Sequence, residues 1–317
     1  MDARAVTVRR AVGRRELGRF IAYPYAHYRN NPAWVPPLRL TEWERFNPKK
    51  NPFLDHGRIV PMLALRGGRV VGRIAGIEND NHRAEHGENL AFFGFFEAQA
   101  AAAALFGAVE VWARDLGRAG LRGPVNPTMD DGAGFQLNAF GEPPFVMMPY
   151  SPSAYPGYAE AAGYAKAKDL YAWLVTEERG LGERLLRLVE RVERRYRPTL
   201  RRAELKQLER EIGILKRIYN AAWERNWGFV RATDAEMDKL ARDLKLILDP
   251  DVVVFAELGG EVAGLAVGLP DLNQVLRRIP NGRLLPFGFL PLLRRKRLIN
   301  RIRLPILGVL PEHRGKG

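Results

Sequence analysis

Two pairs of short, mostly apolar segments lie close together in the chain, and each pair is joined by two adjacent glycines. Two glycines between such runs favour a tight hairpin turn, because both central residues of that turn need a positive φ. A valine, one residue and a glycine then follow in both second segments. The chain therefore predicts two β-hairpins, 59–65 with 69–77 and 252–258 with 261–269.

The same order of elements surrounds both hairpins. Before each hairpin we expect a short strand followed by helical periodicity, and after each hairpin we expect a buried strand. The predicted strands are 5–10, 90–98, 121–126, 169–175, 199–203 and 303–310. The predicted helices are 15–28, 99–116, 155–162, 177–197, 205–223 and one from Asp234, where Thr233 and Glu236 form a capping box.

Length and composition fit this repetition. The 317 residues suffice for two domains, and 46% hydrophobic with 27% charged residues is ordinary for a soluble protein. We find no secretory signal and no long uncharged apolar span, so the expected location is cytoplasmic. The absence of cysteine excludes disulfides, thiolate metal sites and a cysteine nucleophile.

Positive charge is concentrated near the end of the chain. The net charge is +14, and no acid occurs between Leu272 and Pro311, a stretch with nine basic residues. An anionic partner is expected, and nucleic acid, an acidic membrane surface and a polyphosphate cofactor all qualify.

The last predicted strand leads into a basic, glycine-rich turn, Pro311 to Gly317. Glycines let consecutive backbone N–H groups converge on an anion. This strand and loop resemble the acetyl-CoA-binding strand and loop of the GNAT superfamily of N-acetyltransferases. Arg314 and Gly317 match the first two fixed positions of the family pattern, and the third would fall beyond Gly317.

The resemblance implies a fold class for the whole chain. It implies an α+β protein with tandem acyl-CoA N-acyltransferase folds, whose mixed, mostly antiparallel sheets are flanked by helices. We expect a degenerate first domain at 1–178, a linker helix at 179–198 and a second copy at 199–317 that is incomplete at its C-terminus. The motif combination further resembles a group of tandem bacterial acetyltransferase-like proteins. In the GNAT family a helix and the last strands follow this loop, and they are missing after Gly317, so we expect the chain to be a fragment.

The first domain departs from the family at the point where a cofactor loop is expected. There Phe96, Glu97, Ala98 and Gln99 lead straight into a helix with neither a glycine nor a base. We expect this domain to lack cofactor binding.

The resemblance implies acetyl-CoA as acyl donor and an amine as acceptor. It implies donor-binding residues Val309, Leu310, Arg314, Gly315, Lys316 and Gly317. An amine would attack the thioester carbonyl while a backbone N–H polarises the oxygen and a base takes the proton. The sequence does not identify that base; the weak candidates are Glu257, Asp271, Asn273, Glu224 and Asn226.

Two other function classes remain open. An aminoacyl-tRNA-dependent transferase would also suit tandem domains with high positive charge. A non-catalytic module would use the loop only as an anion or CoA site.

Two further patterns have alternative interpretations. His82, Glu85 and His86 match a short zinc-protease spacing, but they fall in a turn-rich polar connection, so we predict a solvated loop and no metal. Residues 284–302 mix apolar and basic side chains and are predicted to cover an acceptor groove. Contact of this stretch with an anionic membrane is the alternative, and Arg294 to Arg297 as a nucleic-acid patch is another.

Overall fold

The computed structural model describes residues 5–178, 180–245 and 249–316. Its contacts divide the chain into two compact units, 1–168 with 271–300 and 169–270 with 301–317. The ranges predicted from the sequence place 271–300 in the second domain, whereas the contacts group this segment with the first unit.

The first unit contains a five-stranded sheet in chain order. Its strands are β1 (Val6–Arg10), β2 (Gly57–Arg66), β3 (Arg69–Asn79), β4 (Leu90–Ala98) and β5 (Gly120–Arg122). The pairs β1–β2, β2–β3 and β3–β4 are antiparallel, and β4–β5 is parallel. A parallel pair needs a crossover, which the helix between β4 and β5 supplies.

Helices α1 (Gly13–His27) and α4 (Ala102–Asp115) pack on the two faces of this sheet. The unit also contains α2 (Arg39–Glu44), α3 (Asp80–His86) and α5 (Tyr155–Ala161), and the segment 271–300 adds α9 (Asn273–Leu276), α10 (Leu290–Leu293) and α11 (Arg295–Leu298). The α4 stripe of Leu105, Val109 and Trp112 packs in one core cluster, and Phe20 and Ile21 of α1 pack in the other. Since both faces are covered, most of β4 is buried.

The second unit contains a four-stranded antiparallel sheet, also in chain order. Its strands are β6 (Thr199–Arg202), β7 (Val253–Leu258), β8 (Glu261–Pro270) and β9 (Ile302–Val309), and its helices are α6 (Glu183–Tyr196), α7 (Leu208–Trp223) and α8 (Asp234–Lys245). Helix α7 packs closely on β9. A Cβ on Gly308 would lie 2.8 Å from the Trp223 ring and 3.0 Å from Ala222 Cβ.

The predicted fold class is confirmed. Both units have a strand, helical structure, a glycine-turned hairpin and a further strand, and antiparallel pairs predominate in the two sheets. The glycine pairs have positive φ in both turns, 53° and 77° in the first and 61° and 88° in the second. The capping box is present, with Glu236 N–H donating to Thr233 Oγ1 (3.2 Å) and Thr233 N–H donating to Glu236 Oε2 (2.8 Å).

Two predicted elements are wrong. Residues 169–175 form no strand, and Tyr171 and Trp173 are exposed. The connection expected to be a loop at His82 to His86 is helix α3, which Asn79 caps at its start and Gly87 ends with a φ of 65°. Within the described ranges, no helix is long and apolar enough to cross a bilayer.

Candidate functional site

The loop after β9 begins where β9 stops pairing with β8. Leu310 is buried and its N–H donates to Ala263 O (2.9 Å), whereas Val309 is partly exposed. A single 3₁₀ turn, Pro311–His313, follows. Arg314 has φ −62° and ψ 152°, and Gly315 has φ 76°. These are the values of the two central residues of a type II turn, which explains the glycine at the second of them.

Arg314 attaches this loop to helix α7. Its Nη2 donates to Ala221 O (2.9 Å) and to Ala222 O (3.3 Å). The last carbonyls of a helix have no partner within the helix, and a cation there also interacts favourably with the helix dipole. The Arg314 side chain therefore positions the loop.

The groups that remain for an anion are the backbone N–H of Gly315 and the ammonium of Lys316. The Gly315 N–H donates to no described carbonyl, and Lys316 Nζ lies 3.0 Å from His313 Nδ1. A backbone N–H beside an ammonium suits a phosphate or pyrophosphate. Gly317, also predicted to bind the donor, lies outside the described residues. The donor-binding assignments thus stay a prediction with which this geometry agrees.

Glu257, a candidate base, is held in an ion-pair cluster. Arg201 Nε donates to Glu257 Oε1 (2.6 Å), and Arg201 Nη1 donates to Glu211 Oε1 (3.0 Å). The Arg201 guanidinium also lies over the Phe255 ring, 4.3 Å from its centroid. These contacts pair both carboxylates with one guanidinium and give Glu257 a structural partner.

Asp271 and Asn273 likewise have structural partners, both in the first unit. Asp271 is fully buried, and its Oδ1 accepts the N–H of Val146 (2.8 Å) and of Asn273 (3.2 Å). Asn273 Nδ2 donates to Pro144 O (2.8 Å). Glu224 and Asn226 are exposed at and just beyond the end of α7. The catalytic assignments of all five candidates stay predictions.

The end of β4 is the place in the first unit that corresponds to the loop after β9. There the N–H of Ala98 donates to Tyr155 Oη (3.1 Å), and the N–H of Phe95 donates to Asn126 Oδ1 (2.6 Å). Glu97 pairs with the buried Arg73. Side chains of the unit already occupy these backbone donors. The expected loss of cofactor binding here remains a prediction, and this bonding agrees with it.

A histidine ring and a second tyrosine hydroxyl lie next to the buried hydroxyl of Tyr155. His27 Nε2 lies 3.0 Å from Tyr155 Oη, and Tyr28 Oη lies 3.4 Å from it. Burial raises the pKa of both tyrosines and lowers the pKa of His27 below its usual 6.5. Sequence reasoning misses this group, because His27 and Tyr155 are 128 positions apart.

A cleft of about 560 Å³ lies beside this group in the first unit. Its volume falls in the range of small-molecule sites. Aromatic walls and arginines line it, with Tyr25, Tyr28, Trp34, Arg29, Arg39 and Arg277 among them. Arg39 stacks over Tyr25, 4.1 Å from the ring centroid. Sequence reasoning missed the cleft, because Arg277 reaches it from a distant part of the chain.

In α3, His82 of the zinc-protease spacing contacts a neighbouring glutamate. His82 is buried and its Nε2 lies 2.9 Å from Glu88 Oε2, while Arg122 also binds Glu88. The Arg122 and His82 contacts lower the pKa of Glu88 to about 2. Across the described part of the chain, no group of three or more His, Cys, Asp or Glu is arranged to hold a metal ion.

The chain is similar to two curated proteins over nearly all its length. It is 37% identical over 303 residues to "Bacterial ceramide synthase" of Caulobacter vibrioides, covering 93% of this chain and 78% of the relative. It is 32% identical over 312 residues to "Protein YghO" of Escherichia coli K12, covering 96% of this chain and 79% of the relative. The chain belongs to their family.

For this member of the ceramide synthase and YghO family, two further comparisons were made, with protein-family models and with solved structures. No protein-family model matches the chain. A solved tandem GNAT protein from the clavulanic acid biosynthesis pathway aligns with 99% of this chain and 82% of its own, at 13% identity and a TM-score of 0.49.

Proposed function

We propose that the protein is an N-acyltransferase that forms an amide between an acyl thioester and the amino group of a long-chain amino alcohol. The observation that supports this most is the 37% identity to a bacterial ceramide synthase over 93% of the chain. A ceramide is the N-acyl derivative of such an amino alcohol. The proposal narrows the unknown amine of the sequence prediction to one chemical class.

The reaction that this proposal requires is direct. The unprotonated amine attacks the thioester carbonyl, the C–N bond forms, the C–S bond breaks, and the thiolate leaves with the proton that the amine loses. Holding amine and carbonyl together supplies much of the rate enhancement. Donors that stabilise the developing oxyanion and a group that accepts the proton supply more. We assign neither role to a particular residue.

The acyl donor in this proposal is a CoA thioester whose pyrophosphate lies at the loop after β9. The open N–H group of Gly315 and the Lys316 ammonium support this choice. Arg314 would act indirectly, by fixing the loop to the carbonyls of α7. The sequence predicts acetyl-CoA, while the ceramide synthase relative favours a longer acyl chain, so the acyl group is a variable of the test.

An end-point assay tests the function. The purified protein is incubated with sphinganine and either acetyl-CoA or palmitoyl-CoA, and amide and free thiol are measured by mass spectrometry and thiol titration. We expect amide and thiol in equal amounts. If neither donor gives amide with the native protein, the proposal fails.

Lys316→Ala tests the donor site. We expect it to raise the KM for the CoA thioester by about tenfold, since one charge-assisted contact is lost. The matched control is Lys206→Ala, which removes an exposed lysine elsewhere in the second unit. An equal KM in both variants would remove Lys316 from the donor site.

The aminoacyl-tRNA-dependent transferase and the non-catalytic module stay predictions. The net charge of +14 supports contact with tRNA. Transfer from aminoacyl-tRNA in the same assay would favour the first. Saturable CoA binding without turnover of any donor would favour the second.

A further inference from the structure

The segment 271–300 is firmly attached to the first unit at its base. The carboxylate of Asp271 and the amide of Asn273 bond to the backbone of Val146 and Pro144. Val275 and Ile279 are buried. Two hydrogen bonds between Gln274 and Asn300 connect the beginning and the end of the segment. Gln274 Nε2 donates to Asn300 Oδ1 (2.6 Å), and Asn300 N–H donates to Gln274 Oε1 (3.1 Å).

The residues beyond this base, 283–297, form what we call the tip segment. Its backbone is folded on itself, with Phe289 N–H donating to Leu284 O (2.9 Å) and Leu290 N–H donating to Phe287 O (3.1 Å). A Cβ on Gly288 would lie 2.0 Å from Arg283 O, so only glycine permits this close approach. The tip segment therefore has a defined conformation.

Large apolar side chains of the tip segment face solvent. Leu285 is 76% exposed, Phe287 is 72% exposed and Leu293 is 73% exposed, and Phe289 and Leu290 are also exposed. Single exposed apolar residues are common on protein surfaces, whereas five within nine positions form a patch. A patch of this kind on an anchored segment marks an interaction surface.

Basic side chains occur in the same short stretch. Arg283, Arg294, Arg295, Lys296 and Arg297 are all exposed, and none has an acidic partner among the described residues. The tip segment contains no acid. It therefore presents uncompensated positive charge together with apolar side chains.

We propose that the tip segment docks on the surface of a lipid bilayer that contains anionic lipids. Its leucine and phenylalanine side chains enter the boundary between headgroups and acyl chains, and its basic side chains contact lipid phosphates. The wider segment 271–300, which carries the tip segment, also supplies Arg277, Pro280 and Asn281 to the cleft of the first unit. This inference does not depend on the catalytic reaction proposed above.

The combination of side chains favours a bilayer over nucleic acid. Single-stranded nucleic acid is bound by basic grooves whose aromatic side chains stack on bases. Only two of the five exposed apolar residues are aromatic, and the exposed leucines would have no base to stack on. Aliphatic and aromatic side chains both gain free energy by entering lipid.

Vesicle sedimentation tests the proposal. The protein is mixed with vesicles of phosphatidylcholine alone or with about 30% phosphatidylglycerol, and its partition is measured from 50 to 500 mM NaCl. We expect binding to the anionic vesicles, weakened by salt, and at least tenfold weaker binding to neutral vesicles. Two variants of the tip segment should each lower the partition at least tenfold. The first carries Phe287→Ser and Leu293→Ser, and the second carries Arg294→Ser, Arg295→Ser and Arg297→Ser.

Matched variants separate the tip segment from general charge and hydrophobicity. Leu137→Ser removes an exposed leucine and Arg114→Ser removes an exposed arginine elsewhere in the first unit, and both should bind vesicles as the native protein does. Circular dichroism and melting confirm that each variant is folded. The proposal is overturned if the native protein does not bind anionic vesicles at 50 mM NaCl. It is also overturned if the tip variants bind vesicles as the controls do. It is also overturned if the tip variants lose only the binding of a single-stranded RNA and keep that of vesicles.

Discussion

His27 is a residue whose protonation the fold opposes. Burial lowers its pKa below 6.5, the repulsion of Arg73 lowers it further, and the attraction of Glu97 opposes these effects only in part. The ring stacks on Tyr23 and contacts the Tyr155 hydroxyl. A neutral imidazole is therefore part of the native hydrogen bonding of the first unit.

A pH dependence of stability follows from this shift. Near pH 6.5 the unfolded chain takes up a proton at this residue while the folded chain does not, so acid favours unfolding. The contribution of His27 is complete above pH 6.5 and declines as the pH falls towards the folded pKa, by at most about 1.4 kcal/mol per pH unit. We expect His27→Gln to flatten the fall of melting temperature between pH 7.5 and 5.5. A slope in His27→Gln equal to that of the native protein would contradict the account.

At the scale of elements, β4 and the chain that follows β5 approach each other closely at Gly94. A Cβ on Gly94 would lie 1.6 Å from Val125 O and 2.9 Å from Asn126 Oδ1. The backbone there is held in place, because Val125 N–H donates to Phe93 O (2.9 Å). Glycine is thus required for this pairing.

Gly94→Ala should lower the free energy of unfolding by about 3 kcal/mol, because either the pairing or the strand must move. Gly107→Ala is the matched control, since its Cβ would meet nothing within 4 Å in the middle of α4. That change should raise stability by about 0.5–1 kcal/mol, as alanine favours helix more than glycine does. Urea unfolding measures both, and a Gly94→Ala midpoint equal to that of Gly107→Ala would show that the strands can separate freely.

Elements specified by local residues could be predicted from the sequence. Both hairpins depend on a glycine pair that tolerates positive φ, and the start of α8 depends on side chains three positions apart. The strand predicted at 169–175 is absent because alternation becomes a strand only where a neighbouring strand pairs with it. At α3 the polar composition favours a loop, although Asn79 and Gly87 are ordinary capping residues of a short helix.

At the scale of the whole molecule, the repeated order of elements could be predicted, but the path of the segment 271–300 could not. The sequence places this segment between two strands of one sheet, β8 and β9. Its membership of the first unit depends on Asp271 and Asn273 meeting backbone groups of Val146 and Pro144, more than 100 positions away. No local pattern encodes such a contact. The cytoplasmic location expected from the sequence stays a prediction.

Cleaving the chain between the two units tests whether the segment 271–300 is attached to the first unit. A specific protease site inserted at Gly180 to Gly182 would separate residues 1–180 from a second piece that still carries 271–300. Burying Val275 and Ile279 in the first unit contributes about 1.5–3 kcal/mol each, and the bonds of Asp271 and Asn273 add to this. We expect the two pieces to elute together from a sizing column in native buffer.

The double change Asp271→Ala and Asn273→Ala tests the cause of that association. It leaves the Val146 N–H and the Pro144 carbonyl without these partners, so the cleaved pieces should separate at a lower urea concentration than those of the native sequence. Gln274→Ala is the control, because this side chain bonds only within the segment, to Asn300. If the pieces with native residues elute separately without urea, the segment does not hold to the first unit. If the double change and the control separate at the same urea concentration, Asp271 and Asn273 are not what anchors it.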